Sequence, residues 1–228
     1  MQRYAIFFVP AADTALWKFG CAAIGYDGLA GAEVSLPEHA FYTRPEIRDW
    51  TADPRRYGFH ATLKPPFELA GSCSIEELET AVSDFAAARQ RFSVDRFVVR
   101  QIGSFLALVP SVPSESLNQL EADCVRNFDA FRAPLTEADR ARRLHSSLSE
   151  TQIKYLDRWG YPYVFEEFRF HMTLTGRLPD DAQAIGLQAL VELYLPIAKP
   201  VDVDALTICE QAGRGSQFVV RRRFEFAG

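Results

Sequence analysis

The 228-residue chain is poor in the residues that usually announce a metal or redox centre: it has four cysteines, four histidines and two methionines. Cys21, Cys73, Cys124 and Cys209 are widely scattered and form no Cys-x-x-Cys pair, which suggests neither a zinc knuckle nor a disulfide framework. Buried free thiols in a reducing cytoplasm are expected instead. No stretch approaches the roughly 18 apolar residues of a membrane-spanning helix. The apolar run near the N-terminus, residues 3–9, is too short for a secretory signal, lacks a small-residue cleavage site and reads as a first strand. Basic charge is also in deficit, with 25 Lys and Arg against 30 Asp and Glu and a net charge of -5. That balance argues against a protein that holds long nucleic acid by bulk electrostatics, which needs a basic footprint; a small local anion site stays open.

What is present is an ordinary globular composition, 48% apolar and 24% charged, long enough for one large domain or two small lobes around a real core. Capping boxes at Ser74-Ile75-Glu76-Glu77 and Ser149-Glu150-Thr151-Gln152 mark two helix starts. Apolar spacing adds helices over 117–131, 136–144 and 181–194, and a short one over 14–24. Strands are expected at 58–65, 92–101, 105–109, 163–175, 202–209 and 216–225. Residues 25–56, dotted with Pro37, Pro45 and Pro54, read as irregular with one short strand. A strand, helix, strand, strand succession thus occurs twice, from Gly58 and from Tyr163. The expected fold class is α+β: one bilobal domain over 1–228, with two pseudo-symmetric antiparallel sheets lining a central cleft and helices outside.

The histidines can be compared directly. His60 lies in Phe59-His60-Ala61-Thr62-Leu63 and His171 in Phe170-His171-Met172-Thr173-Leu174, so both read Phe-His-x-Thr-Leu. His39 and His145 have no such context. With 10 Thr and 21 Leu in 228 residues, the Thr-Leu pair has a probability of about 0.004 per histidine. Two hits among four then come to on the order of 1 in 10,000. Strand side chains alternate, so His60, Thr62 and Lys64 should share one face, and His171, Thr173 and Thr175 another, with the intervening residues in the core.

Such a groove suits phosphorus chemistry. Two imidazoles can divide base and acid roles near neutral pH. Threonine hydroxyls can donate to non-bridging phosphate oxygens, and Lys64 would add positive charge. In-line displacement needs its base and acid on opposite sides of phosphorus, which two facing lobes supply, and no metal or other cofactor is needed.

The paired segments resemble the signature of the two-histidine (2H) phosphoesterase superfamily, including the LigT-like cyclic nucleotide phosphodiesterases, whose motif is His-x-Thr/Ser-hydrophobic once per lobe. The longer segments Arg55-Arg56-Tyr57-Gly58-Phe59-His60-Ala61-Thr62-Leu63-Lys64, Trp159-Gly160-Tyr161-Pro162-Tyr163-Val164 and Phe168-Arg169-Phe170-His171-Met172-Thr173-Leu174-Thr175-Gly176 are most similar to an uncharacterised branch associated with bacterial phosphonate-metabolism operons. The resemblance implies a bilobal cleft with His60 and His171 as the acid/base pair and Thr62 and Thr173 as phosphate donors. It leaves open which histidine is the base. It implies a hydrolase that opens a small cyclic phosphate ester, a cyclic nucleotide or a cyclic ribose phosphate.

Lys64, Thr175 and Tyr161 are further substrate-binding candidates. Each has a plain alternative: Lys64 a solvated strand end, and Tyr161 with Tyr163 the packing of a helix-to-strand corner. The Arg140, Arg142 and Arg143 group and the Arg221 to Arg223 run read as solvated faces. An RNA-binding or 2′-5′ RNA-joining protein on the same scaffold is the main alternative function, disfavoured by the acidic charge. A metallohydrolase is the other, disfavoured because the histidine spacing matches no zinc signature.

Overall fold

The computed structural model describes residues 1–228. The chain opens with β1 (Arg3–Phe8), α1 (Ala15–Ile24), the short hairpin β2 (Tyr26–Asp27) and β3 (Ala32–Glu33), and the brief helices α2 (Ile47–Trp50) and α3 (Ala52–Tyr57). Then come β4 (Ala61–Phe67), α4 (Ile75–Ala87), β5 (Phe92–Val94), β6 (Phe97–Ile102) and β7 (Phe105–Pro110). Three helices follow: α5 (Glu115–Asn127), α6 (Glu137–Leu144) and α7 (Glu150–Trp159). The chain ends with β8 (Met172–Thr173), α8 (Asp180–Tyr194), β9 (Val201–Val203), β10 (Ala205–Gln211) and β11 (Val219–Glu225). Both capping boxes form, with each serine accepting from the N3 backbone and Glu77 or Gln152 reaching back to the cap. No helix is long and apolar enough to cross a membrane.

The fold is α+β, with antiparallel strands and packed helices. Seven strands form one ladder in the order β11-β10-β1-β4-β8-β7-β6. The two expected sheets are the halves of this ladder, and they join through a single residue pair, Ala61 with Met172. From Tyr4 onward β1 is buried on both faces, as its unbroken apolar run requires of a central strand. One apolar core runs through both halves.

Each histidine strand was expected to keep the helix and hairpin that follow it in sequence. The structure exchanges the hairpins. The pair β6–β7, which follows α4, joins β8 and packs under α8. The pair β10–β11, which follows α8, joins β1 and packs under α4. The two crossing segments meet as β5 and β9, Ser93 opposite Asp202. Periodicity reports local element type and not which strand a hairpin finds, so sequence order alone could not reveal the exchange.

Strand limits also move. Of the strand expected at 163–175, only Met172–Thr173 is laddered, and Phe165–Glu167 is a 3-10 turn with Phe165 at φ 56°. Leu174 N and Thr175 N both donate to Leu106 O (2.9 and 3.2 Å), a doubled contact that bulges the chain and ends the strand. The strand expected at 58–65 begins after His60 and continues to Phe67, with two register shifts against β1, one across Pro65 and Pro66 and one between Lys64 and Thr62. The segment 25–56 is more regular than expected, holding the β2–β3 hairpin, a 3-10 turn over Ala40–Thr43, and α2 with most of α3.

Candidate active site

The join between the halves is where the two motifs meet. Ala61 and Met172 are partners in antiparallel register. One step in each direction therefore sets His60 opposite Thr173 and Thr62 opposite His171, each motif's histidine across from the other's threonine. Opposed residues share a face. All four motif side chains are half-buried, while Ala61 and Met172, pointing the other way, are 1% and 0% exposed. Phe59, Leu63, Phe170 and Leu174 are likewise core residues, so each motif is apolar on one side and open on the other.

Both imidazoles are held in the same manner. His60 Nδ1 donates to Gly58 O (2.8 Å), and His171 Nδ1 donates to Arg169 O (2.7 Å). A carbonyl only accepts, so each Nδ1 carries a proton and each neutral ring has its lone pair on Nε2. Thr62 Oγ1 donates to His60 Nε2 at 3.2 Å. The His60 ring is pinned by Phe7, stacked at 3.7 Å, with Tyr57 at 6.1 Å. Burial pushes its pKa down to about 4; the Gly58 carbonyl opposes the shift and the His171 charge adds to it. Gly58 holds φ 75° and ψ 170°, a region open essentially to glycine alone, and this conformation aims its carbonyl at the ring.

A cavity of about 520 Å3 opens on the Thr62 and His171 side of the seam, lined also by Phe105, Glu121, Tyr161 and Arg169; His60 lines a separate space of about 10 Å3 with Tyr57, Gly58 and Phe218, and reaches the cavity wall through its contact with Thr62. Tyr161 therefore stands in the wall with His171 and Thr62. Its ring also meets Tyr163 at 5.6 Å and lies under the Arg143 guanidinium at 4.7 Å.

Lys64 and Thr175 stand elsewhere. Lys64 was expected on the polar face with Thr62, yet it is 1% exposed, and its Nζ donates to Val125 O and Asp129 Oδ1, both at 3.3 Å. The register slip between Lys64 and Thr62 breaks simple alternation here, and α5 covers this part of β4. Burial lowers the Lys64 pKa to about 8 against the opposing pull of Asp129. Thr175 is 0% exposed and its Oγ1 accepts from Leu106 N (3.0 Å), because the bulge at 174–175 turns it into the sheet.

Sequence reasoning missed Glu121. It lies on the inward stripe of α5 with Leu117, Cys124 and Phe128, is 2% exposed, and accepts from Phe165 N at 3.2 Å. An acidic residue at an inward helical position was the available signal. Burial raises its pKa to about 8, with the Phe165 N–H opposing. No cluster of three or more His, Cys, Asp or Glu side chains is arranged to hold a metal ion.

Residues 62–219 match a family model described as a protein of unknown function (DUF1045). Two similar curated proteins are both named Ribose 1,5-bisphosphate phosphokinase PhnN. The one from Janthinobacterium sp. (strain Marseille) is 38% identical over 233 residues, covering 100% of this chain and 51% of that protein. The one from Laribacter hongkongensis (strain HLHK9) is 30% identical over 213 residues, covering 93% and 49%. The chain spans about half the length of the curated relatives it matches. Similar solved structures include a phosphoesterase, 15% identical with a TM-score of 0.43 over 100% of this chain and 99% of that one. E.coli LigT complexed with 3′-AMP is 15% identical, with a TM-score of 0.45 over the same shares. Matched by that model over most of its length, the chain belongs to the DUF1045 family of proteins of unknown function.

Proposed function

We propose that the seam is the active centre of a two-histidine phosphoesterase that opens a cyclic phosphate ester, a cyclic nucleotide or a cyclic ribose phosphate, without a metal ion. The observation that carries this reading is the Ala61–Met172 pairing, which brings the two His-x-Thr segments side by side.

In this mechanism His60 is the base. Its low pKa keeps it neutral at pH 7, and the Gly58 carbonyl leaves the Nε2 lone pair free for a proton. Substrate draws the Thr62 hydroxyl away from Nε2 to a non-bridging phosphate oxygen, and the negative phosphate offsets part of the burial penalty on an imidazolium. Water attacks phosphorus as its proton passes to His60 Nε2. The P–O bond to the ring oxygen breaks, and that oxygen takes a proton from Nε2 of protonated His171. The product is an acyclic phosphate monoester, and proton exchange with solvent resets both rings. Thr173 donates to a second non-bridging oxygen, and the aromatic wall at Tyr161 and Phe105 receives the sugar or base. The names of the curated relatives speak of a ribose phosphate, which favours that substrate class. A reducing cytoplasm suits a chain whose four cysteines are free, with Cys21, Cys124 and Cys209 buried.

The names also speak of a kinase; this chain spans about half of those proteins, and a Gly-x4-Gly-Lys-Ser/Thr loop is not among its residues. An RNA-joining or RNA-binding role draws support from the aromatic cavity wall, where Tyr163 is 42% exposed. A salt-sensitive gel shift with oligoribonucleotides would favour that alternative. The deciding assay is turnover of 2′,3′-cyclic nucleotides and cyclic ribose phosphates in excess chelator. His60→Ala and His171→Ala should each lose on the order of 10^3-fold in kcat. Full activity in either variant, or abolition by chelator, would overturn the mechanism.

A further inference from the structure

A second, narrower cleft lies beside the cavity at the seam, with Pro66 and Gly160 in its lining next to Pro65 and Tyr161 in the lining of the first. This cleft of about 60 Å3 is lined by Arg3, Arg132, Arg142, Arg143 and Arg214, with Asp139 and Glu68 the only carboxylates. Five arginines against two acids make it strongly cationic in a chain of net charge -5. Three of the five are neutralised. Arg214 pairs with Asp139 and Glu68 (2.7 and 3.4 Å), Arg142 with Asp139 (2.6 Å), and Arg132 with Asp129 (2.9 Å).

Arg3 and Arg143 are different. Neither has a carboxylate within ion-pair distance, and both are half-buried. Arg3 donates only to the neutral Gln211 Oε1, from Nε at 2.9 Å and from Nη2 at 2.5 Å. Arg143 lies over the Tyr161 ring, and its Nε is buried without any hydrogen-bond partner. Burial lowers the pKa of both groups, and Tyr57 lies within electrostatic range of each. A half-buried guanidinium that has lost part of its hydration and has no carboxylate partner is stabilised when an anion meets it.

The position relates this pair to the histidines. Arg3 and Phe7 share a face of β1, four residues or roughly 13 Å apart, and Phe7 is the ring stacked on His60. The Arg3 guanidinium lies 5.8 Å from the Phe218 ring, which stacks on Tyr57 at 5.4 Å, and Tyr57 is the other ring beside His60. Arg143 contacts Tyr161, a wall residue of the His171 cavity. The two guanidiniums thus sit one aromatic layer beyond the reacting centre.

We infer that Arg3 and Arg143 form a second anion subsite, which holds a phosphomonoester carried by the substrate at a position remote from its cyclic phosphate. This rests on the phosphoesterase reading and narrows its substrate class to bisphosphorylated sugars or nucleotides, with one phosphate cyclic and one terminal. A guanidinium pair suits a terminal dianion because it offers several donors in fixed forks. The asymmetry gives direction, seating the cyclic end between the histidines and the terminal phosphate beyond Tyr57.

Two measurements test it. Adenosine 2′,3′-cyclic phosphate and its 5′-phosphorylated counterpart are compared in kcat/KM. The wild type should prefer the 5′-phosphorylated substrate at least tenfold, mostly through KM, and Arg143→Gln or Arg3→Gln should bring the ratio near one. Arg143→Lys should retain part of the preference, which separates loss of charge from loss of fold. Independently of turnover, ribose 5-phosphate should bind a His60→Ala/His171→Ala double variant and lose at least tenfold in affinity when Arg143→Gln is added. Equal kcat/KM for the two substrates in wild type, or ribose 5-phosphate binding indifferent to Arg143→Gln, would overturn the subsite and leave the phosphoesterase reading standing. Wild type that turns over neither substrate while still binding ribose 5-phosphate through Arg143 would support the subsite and count against the reaction.

Discussion

Two backbone carbonyls decide what the paired imidazoles can do. Gly58 O and Arg169 O each occupy Nδ1–H, so Nε2 is the atom left free for a proton at both positions. Gly58→Ala would force a side chain into a glycine-only conformation at a cost of ~1–3 kcal/mol. Its kcat should fall more than its KM rises, since the carbonyl orients His60 without touching substrate. His60 and Glu121 give opposite pH signatures in stability. The unfolded chain binds more protons at His60 between about 4 and 6.5, so that group makes stability rise with pH across this window. Glu121, raised from 4.5 to about 8, binds its proton in the folded state, so its contribution is present at low pH and is lost as pH rises through that window. Denaturant titrations of Glu121→Gln should show a flatter decline between pH 5 and 8 than wild type, and an unchanged slope would contradict the assignment. Lys64→Met should keep kcat/KM within about threefold, because Asp129 retains Arg132 and Arg158 when the buried pair is removed. A large loss of activity would return Lys64 to the substrate.

The histidine strands show what sequence pattern reveals and where it stops. His60, Thr62, His171 and Thr173 were legible because each apolar partner on the opposite side, from Phe59 to Leu174, keeps the period-two pattern. Lys64 and Thr175 were misread because a register slip interrupts that period just after each threonine, and no periodic rule foresees a bulge. Glu121 was overlooked because its helix reads as simply amphipathic until one asks what an acid does on the buried stripe. Phe59 anchors the first strand against α1, where Gly20 leaves no room for a side chain: a Cβ there would fall 2.1 Å from the Phe59 ring. Gly20→Ala should therefore cost ~1–3 kcal/mol and also depress kcat, through the neighbouring His60. Thermal unfolding and kinetics on the same preparation would check both, and a destabilised variant with unaltered kcat would detach Phe59 from the site.

Exchange of the hairpins ties the two halves into one folding unit. The strand that directly follows His60, β4, lies beside β1, which is paired on its other side by a strand from the end of the chain. A truncation after α8 should thus fail to give a folded half containing His60, and the intact chain should unfold in one cooperative transition by fluorescence and circular dichroism. The same topology brings two motifs 111 residues apart onto one seam, with an arginine-lined cleft beyond it. Long-range 1H–15N spectra of the histidine rings, recorded while inorganic phosphate is added, read that convergence. The Nε2 resonances of His60 and His171 should shift together with a single dissociation constant, and those of His39 and His145 should stay still. Movement of one motif ring alone, or two unrelated dissociation constants, would show that the histidines do not share a phosphorus.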